Sequence, residues 1–189
     1  VATPDQKIVD EIKTNWDDFP EQNIILTSPD CRNGTERVAE VIRILNVPPN
    51  MIVVNCQGDQ YGFSSGAFID GPVRLIRQGF CEVATVICPL NTGDIEKHHV
   101  VKALIYIHLD GYIMADQFIR EVPLAYNFPV YRHVGVYAAR ASKFLQYEKL
   151  PIPPEEIRLS LEQLRWREKI RAYFINDIPH VLDVPGEAA

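Results

Sequence analysis

Long apolar segments, a basic excess and metal-type cysteine spacing are all missing from this sequence of 189 residues. No apolar run approaches the roughly 18 residues that cross a bilayer, so we expect no membrane-spanning helix. The formal net charge is −6, whereas a protein that binds phosphate-rich partners needs a basic face. We therefore expect neither a nucleic-acid partner nor a membrane partner.

The four cysteines show no pattern of a zinc site. Cys31, Cys56, Cys81 and Cys88 form no CxxC pair and belong to no zinc-like Cys/His cluster. The last three lie in or beside apolar segments, where a free thiol behaves as a small hydrophobic group. The first residues also show no charged-then-apolar leader. These features favour a reducing, cytoplasmic environment.

The composition, with 47% hydrophobic and 23% charged residues, is typical of a globular protein of one domain, residues 1–189. Apolar periodicity predicts helices over 6–15, 35–45, 69–78 (with Pro72 in the first turn), 139–148 and 155–169. Strands are predicted over 23–27, 51–56, 83–89, 131–138 and 170–175. Asp110-Gly111, between two apolar segments, predicts a β-hairpin. This alternation predicts an α/β fold: an open, mostly parallel sheet with flanking helices and a β-hairpin excursion.

The segment from Met51 to Asp59, MIVVNCQGD, is an apolar strand followed by a polar turn and a carboxylate. In an open α/β sheet, ligands bind at the carboxyl ends of the strands. An acid placed there by a Gly-containing turn is well sited to hold a metal ion against a phosphate. The alternative is an ordinary surface turn, since Gly and Asp are common in turns.

Two further segments combine a ligand-binding and a structural interpretation. Asn33, Gly34 and Thr35 precede a predicted helix, whose free N–H groups can bind an anion or a base edge, or can simply be capped. On the predicted strand over 131–138, His133 and Tyr137 share one face with a glycine, which leaves room for a ligand. The structural alternative for His133 is a buried, hydrogen-bonded imidazole.

Four segments carry recognisable patterns in a fixed order along the chain. They are SPDCRNGTER at 28–37, VNCQGD at 54–59, RHVGVY at 132–137 and LEQLR at 161–165. Together they resemble the 3-deoxy-manno-octulosonate (Kdo) cytidylyltransferases, also called CMP-Kdo synthetases, over nearly the whole chain. The resemblance implies a Rossmann-like nucleotidyltransferase fold. It also implies a Mg²⁺-dependent reaction of CTP with Kdo that forms CMP-Kdo for lipopolysaccharide-type polysaccharides and releases pyrophosphate.

The same resemblance implies residue roles and a homodimer. It implies nucleotide contacts from Asn33, Gly34, Thr35 and Arg37. It implies sugar contacts from Gln57, His133, Tyr137, Glu162 and Gln163. It implies that Asp59 and Gln57 are the catalytic residues and that Asp59 and Asp183 are the Mg²⁺ ligands. Asp183 lies in LDVPGE, which is similar to the family's Val-Asp-Thr-Pro-Glu-Asp segment, although it can also be a polar residue of the chain end.

One family segment has no counterpart in the sequence. Relatives begin with a strand and an Arg- and Lys-containing phosphate loop, so we expect this chain to miss its N-terminal strand, loop and helix. The chain is then a piece of the enzyme, a divergent relative that has lost catalysis, or a subunit whose missing cations come from another chain. We favour the first interpretation. The alternative function is that of a non-catalytic α/β binding or interaction module.

Overall fold

The computed structural model describes residues 1–123, 129–166 and 170–181. In these residues the helices are α1 (Gln6–Asn15), α2 (Gly34–Ile44), α3 (Ala67–Arg77), α4 (Ala141–Tyr147) and α5 (Pro154–Leu159). The strands are β1 (Ala2–Thr3), β2 (Ile25–Leu26), β3 (Ile52–Cys56), β4 (Gln60–Tyr61), β5 (Val83–Cys88), β6 (Lys102–Ile107), β7 (Ile113–Ile119), β8 (Val130–Arg140), β9 (Ile170–Phe174) and β10 (His180–Val181). Short 3₁₀ helices cover Glu21–Asn23, Thr92–Asp94 and Glu162–Arg165.

Local sequence signals explain several of these elements. The carboxylate of Asp5 accepts a hydrogen bond from the Lys7 N–H at 2.8 Å, and the Asn33 side chain accepts one from the Glu36 N–H at 2.9 Å. Both side chains cap helices whose bounds agree with the predicted ones. Gly111 takes a φ of +81° in the turn between β6 and β7, so the predicted hairpin is confirmed.

The prediction of an open, mostly parallel sheet is wrong. The strand order is β3-β8-β5-β9-β7-β6. Among the described residues of this sheet, β5 and β9 are the only neighbouring strands that pair in parallel. Strand β8 lies between β3 and β5 and is antiparallel to both. Strands β3 and β5 therefore run in the same direction without being neighbours. The sequence pattern located the six strands of this sheet but not the short strands β1, β4 and β10. The pairing partner of each strand depends on residues distant in the chain.

The sheet is also closed rather than open. Strand β6 pairs with the first residues of β8, so β8, β5, β9, β7 and β6 form a five-membered ring among the described strands. One edge of β8 is thus shared: β6 occupies it over residues 130–132, and β3 over residues 136–140. The two strands separate between these ranges, where the His133 N–H donates to Val101 O and Gly135 O accepts from the Gln57 N–H. This separation leaves a gap beside the middle of β8.

Helices cover both faces of the sheet. On one face α2 and α4 enclose the largest group of buried apolar side chains, which includes Ile42, Phe144, Tyr147 and Trp166. On the other face α3 packs on β5 and β8 through Leu75 and its neighbours. None of the helices in the described part of the chain is both long and apolar enough to cross a membrane.

Three predicted helices differ from the observed ones. Helix α4 begins at Ala141 rather than at residue 139, because residues 139–140 continue β8. Helix α3 begins two residues before the predicted start, so Pro72 lies inside the helix rather than in its first turn. The helix predicted over 155–169 ends at Leu159, because Ser160 takes a left-handed conformation with φ of +51°. The chain then continues as the 3₁₀ helix Glu162–Arg165, and residues 167–169 lie outside the described part. This break turns Glu162 and Gln163 towards the interior.

We predict that Gly71→Ala destabilises the protein although alanine favours helices. A Cβ at Gly71 would lie 2.2 Å from the Cδ1 atom of Tyr173 on β9, which no real contact permits. Overpacking of this kind outweighs the helix-propensity gain, so we expect a net loss of about 1–2 kcal/mol in the free energy of unfolding. Urea unfolding measures it, with Gly93→Ala as the control because a Cβ there meets nothing within 4 Å. Equal stability of Gly71→Ala and the wild type would contradict the close packing.

Candidate active site

A cavity of about 1220 Å³ lies beside the gap between β3 and β6. The end of β3, the middle of β8, the start of α2 and the 3₁₀ helix Glu162–Arg165 contribute to its lining. Most of the predicted site residues line it: Asn33, Gly34, Gln57, Asp59, His133, Tyr137, Glu162 and Gln163. Segments distant in sequence thus meet at one site, in the place where strands diverge and ligands commonly bind.

Both polar atoms of the Asn33 side chain form hydrogen bonds within the protein. Its oxygen caps α2, and its Nδ2 donates to the hydroxyl of Tyr147 at 3.0 Å and to the carboxylate of Glu156 at 3.4 Å. Only its backbone and that of Gly34 remain to face the cavity. A base or phosphate at this point would therefore meet main-chain groups of the helix start, which suits anion or base-edge recognition.

Thr35 and Arg37, two predicted nucleotide ligands, do not line the cavity. Thr35 is fully buried, and its N–H donates to the carboxylate of Glu162 at 2.9 Å. The Arg37 guanidinium donates to the Thr27 hydroxyl at 2.6 Å and to the carbonyl of Ser28 at 3.2 Å. In the structure both residues hold the segment before α2 in place, and their contact with a nucleotide stays a prediction.

Glu162 joins three parts of the site. Its carboxylate accepts the Thr35 N–H and a short hydrogen bond from the Gln57 amide, so it connects α2 with the turn after β3. Burial raises the pKa of Glu162 although these hydrogen bonds act in the opposite direction. The side chain of Gln57 lies over Gly135, where a Cβ would be 3.2 Å from its Oε1 atom. The space that the glycine leaves on β8 is therefore occupied by Gln57.

His133 and Tyr137 lie on the same face of β8, with ring centroids 5.5 Å apart, as strand alternation predicts. The Thr85 hydroxyl donates to the carbonyl of Val136 at 2.8 Å and lies 2.9 Å from His133 Nε2. Because that hydroxyl hydrogen is already used, Nε2 carries the proton and donates to Thr85 Oγ1. The other ring nitrogen, Nδ1, is then an acceptor. Burial lowers the pKa of His133 to about 3, so the imidazole is neutral at physiological pH.

This burial predicts a pH-dependent stability that His133→Gln removes. The ordinary pKa of 6.5 applies in the unfolded chain and about 3 in the folded one, so only the unfolded chain binds the proton between these values. Stability falls as pH drops through this interval, by about 1.4 kcal/mol for each pH unit. Urea unfolding of the wild type and of His133→Gln across the interval checks the difference in slope. Parallel curves would show that His133 is protonated in the folded protein.

Tyr137 and Gln163 extend this neutral polar surface. The Tyr137 hydroxyl donates to Gln163 Oε1 at 3.1 Å, and burial raises the pKa of Tyr137. The Nε2 atom of Gln163 is buried and has no hydrogen-bond partner among the described residues. An unpaired buried donor is costly, so a ligand hydroxyl or carboxylate at this point would satisfy it.

Asp59 lies in the cavity lining directly after β3, in the position that the sequence predicts. Its side chain is partly buried, and Gln60 Nε2 lies 3.4 Å from its Oδ1 atom. Asp183, the predicted partner ligand, lies outside the described residues. Within residues 1–123, 129–166 and 170–181, no group of three or more His, Cys, Asp or Glu side chains could hold a metal ion.

The sequence did not predict the buried charge cluster that lies beneath the site. Arg165, which is 1% exposed, forms ion pairs with Glu36 and Glu156 and lies over the ring of Tyr147 at 4.3 Å. The same carboxylate of Glu36 also pairs with Arg32 at 2.7 Å. The signal was present, since Arg165 ends the LEQLR segment and Glu36 lies in NGTER. Only their approach in space shows that the two motifs are partners.

Comparison with known proteins defines the class of this fold and site. A family model described as Cytidylyltransferase matches residues 1–177, and the chain belongs to this family. Its relatives include the 3-deoxy-manno-octulosonate cytidylyltransferase of Psychromonas ingrahamii, 32% identical over 95% of this chain and 74% of that protein. The enzyme of the same name from Chlamydia trachomatis serovar L2 is 35% identical over 93% of this chain and 67% of that protein.

A solved structure gives the same assignment. A CMP:2-keto-3-deoxy-manno-octonic acid synthetase complexed with CTP matches with a TM-score of 0.78 and 26% identity. The match covers 98% of this chain and 75% of that one. The resemblance drawn from the sequence motifs is therefore confirmed, and the fold is the mixed α/β nucleotidyltransferase fold of this enzyme class.

Proposed function

We propose that the protein transfers CMP from CTP to Kdo and releases pyrophosphate. The observation that carries this proposal is the meeting of Asp59 and Gln57 with the neutral face of His133, Tyr137 and Gln163 in one cavity. A sugar with many hydroxyls needs mixed donors and acceptors, and this face offers them. The named relatives and the CTP-bound structural neighbour supply the substrate classes.

In the proposed reaction the anomeric hydroxyl oxygen of Kdo bonds to the α-phosphorus of CTP. The bond from that phosphorus to the bridging oxygen of the β-phosphate breaks, and pyrophosphate leaves with the electron pair. The hydroxyl proton is lost to solvent. The protein contributes in-line placement of the two substrates and stabilisation of charge on the phosphate oxygens. Gln57, held by Glu162 and packed on Gly135, fixes the geometry of the turn that carries Asp59.

We infer Mg²⁺ as the cofactor. When bound, Mg²⁺ supplies positive charge at phosphate oxygens, and it prefers one or two carboxylates together with water. The carboxylate of Asp59 fits this chemistry because it lines the cavity at the end of a strand. Asp183 is the proposed second ligand. We also propose a cytoplasmic location and a product that serves polysaccharide synthesis.

Pyrophosphate release tests the proposal. We expect release from CTP that requires both Kdo and Mg²⁺ and that is much slower with UTP or with N-acetylneuraminate. The matched control omits Kdo. Folded protein that binds CTP without releasing pyrophosphate would instead favour the non-catalytic binding module.

We also propose a homodimer. Ile107 and Leu109, in the β6–β7 hairpin, are 71% and 102% exposed, and Ile157 on α5 is 73% exposed. Large exposed apolar side chains, such as the two in the hairpin, are common at subunit interfaces. Gel filtration at micromolar concentration measures the assembly, and a monomer there would contradict the proposal.

A further inference from the structure

The arginines and lysines that line the cavity differ in whether the protein satisfies them. Arg32 pairs with Glu36 at 2.7 Å, and Lys97 pairs with Asp94 at 3.0 Å. Arg120 donates to four backbone carbonyls, those of Leu159, Ser160, His98 and His99. Arg165 is held by two buried carboxylates. These four cationic side chains therefore already have partners within the protein.

Arg132 is the exception among the described lining residues. It is only 9% exposed, and no hydrogen bond or ion pair connects its guanidinium with any other described residue. Burial alone would raise the pKa of Asp94, whereas Lys97 and, at longer range, Arg132 lower it. That carboxylate is already paired with Lys97. The nitrogens of Arg132 are not among the fully buried side-chain atoms that lack a partner, so the guanidinium keeps access to the cavity. A guanidinium with this access and no partner among the described residues is suited to an anionic ligand.

The position of Arg132 indicates which anion this is. Consecutive residues of a strand point to opposite faces, yet both Arg132 and His133 line the cavity. In the sheet Arg132 pairs with Lys102 of β6, and Arg132 and His133 lie at the start of the stretch of β8 where β6 and β3 diverge. One ligand can therefore contact the guanidinium and the neutral His133 face together. That face carries no positive charge of its own, whereas a sugar acid carries one carboxylate.

We propose that Arg132 binds the carboxylate of the sugar acid and so makes the enzyme specific for acids over neutral sugars. This inference rests on the proposed function, because it names the group of the sugar substrate that the site selects. A guanidinium and a carboxylate form two parallel charge-assisted hydrogen bonds, which specify both the charge and the planar shape of the ligand.

The test compares Kdo with its neutral carboxamide in the wild type, Arg132→Gln and Arg132→Lys. In Arg132→Gln we expect the KM for Kdo to rise about 10- to 100-fold, since hydrogen bonds to charged groups contribute that much. The KM for CTP stays within about twofold, and kcat changes little, because uniform binding energy is lost. The preference for the acid over the amide disappears. Arg132→Lys keeps the charge but not the paired donors, so we expect its KM for Kdo to lie between those of the wild type and Arg132→Gln.

Arg140→Gln is the matched control, because Arg140 lies on the same strand, is exposed and donates to Asn50 O outside the cavity. Unfolding curves establish that each variant is folded, and if Arg132→Gln is not, a raised KM for Kdo in Arg132→Lys carries the test. Unchanged preference for the acid in the folded variant overturns the inference. A raised KM for CTP alone also overturns it and assigns Arg132 to the triphosphate.

Calorimetric titration separates this inference from the proposed function. If the wild type binds Kdo more tightly than the amide and Arg132→Gln does not, the inference holds even without turnover. If the wild type turns over Kdo but Arg132→Gln keeps its preference, the proposed function stands and the inference fails. Equal affinity of the wild type for Kdo and the amide contradicts the inference directly.

Discussion

Asp59→Asn is expected to lower kcat for CMP-Kdo formation by about 100- to 1,000-fold, the loss typical when one electrostatic group of a transition state is removed. Asparagine keeps the size of the side chain but not the charge that binds a divalent cation. Since Asp59 lies at the cavity surface and is partly buried, the fold should persist. The steady-state rate of pyrophosphate release measures the effect.

Two additional readouts separate a metal ligand from a residue that only shapes the turn. In Asp59→Asn we expect the residual activity to need a higher Mg²⁺ concentration for half-maximal rate, because one anionic ligand is missing. Asp70→Asn on α3 is the control, since Asp70 is exposed and does not line the cavity. A fully active Asp59→Asn enzyme would exclude Asp59 from catalysis.

Arg165→Met is expected to cause the largest loss of stability, about 3–5 kcal/mol in the free energy of unfolding. The substitution leaves the carboxylates of Glu36 and Glu156 buried without their shared cation; both residues are less than 9% exposed. Burial alone would raise the pKa of Glu36, but hydrogen bonds from Arg32 and Arg165 lower it. Its contribution to stability is therefore present above its ordinary pKa of 4.5 and lost as pH falls below it.

A compensated variant tests whether the buried charge is the cause. Adding Glu36→Gln and Glu156→Gln to Arg165→Met removes the unpaired charges, and we expect most of the lost stability to return. Urea unfolding of the single and the triple variants measures this recovery. If the triple variant is no more stable than Arg165→Met, the unpaired charges are not the cause, and the lost packing of the arginine on Tyr147 accounts for the effect.

The sequence predicts local structure in this protein better than it predicts strand partners. The bounds of α1 and the β6–β7 hairpin follow from an N-cap, apolar periodicity and the Asp110-Gly111 turn, all of which act within a few residues. The position of β8 between β3 and β5 depends instead on pairings across the whole chain. Ser160 takes a left-handed backbone conformation that usually favours glycine, so the sequence contains no signal for the end of α5. The predicted helix is therefore too long.

In the candidate site, too, local motifs are predicted better than contacts between distant residues. Asp59, His133 and Tyr137 are found from motif order, and the fold brings them into one cavity. Family motifs do not separate residues that face a ligand from residues that support them. Arg37 contacts the Thr27 segment instead of the cavity. Arg132 precedes His133 in the same motif, but only its burial without a partner among the described residues distinguishes it.

Transfer of the α-phosphorus from CTP to the sugar acid is the defining step of the proposed reaction, and ³¹P NMR of a mixture of CTP, Kdo, Mg²⁺ and enzyme follows it. We predict that the three CTP resonances are replaced by one phosphodiester resonance and by pyrophosphate, in equal amounts. The diester should be absent without Kdo and in Asp59→Asn. Conversion of CTP to CDP and inorganic phosphate, or to free CMP with no diester, would contradict the proposed transfer to the sugar acid.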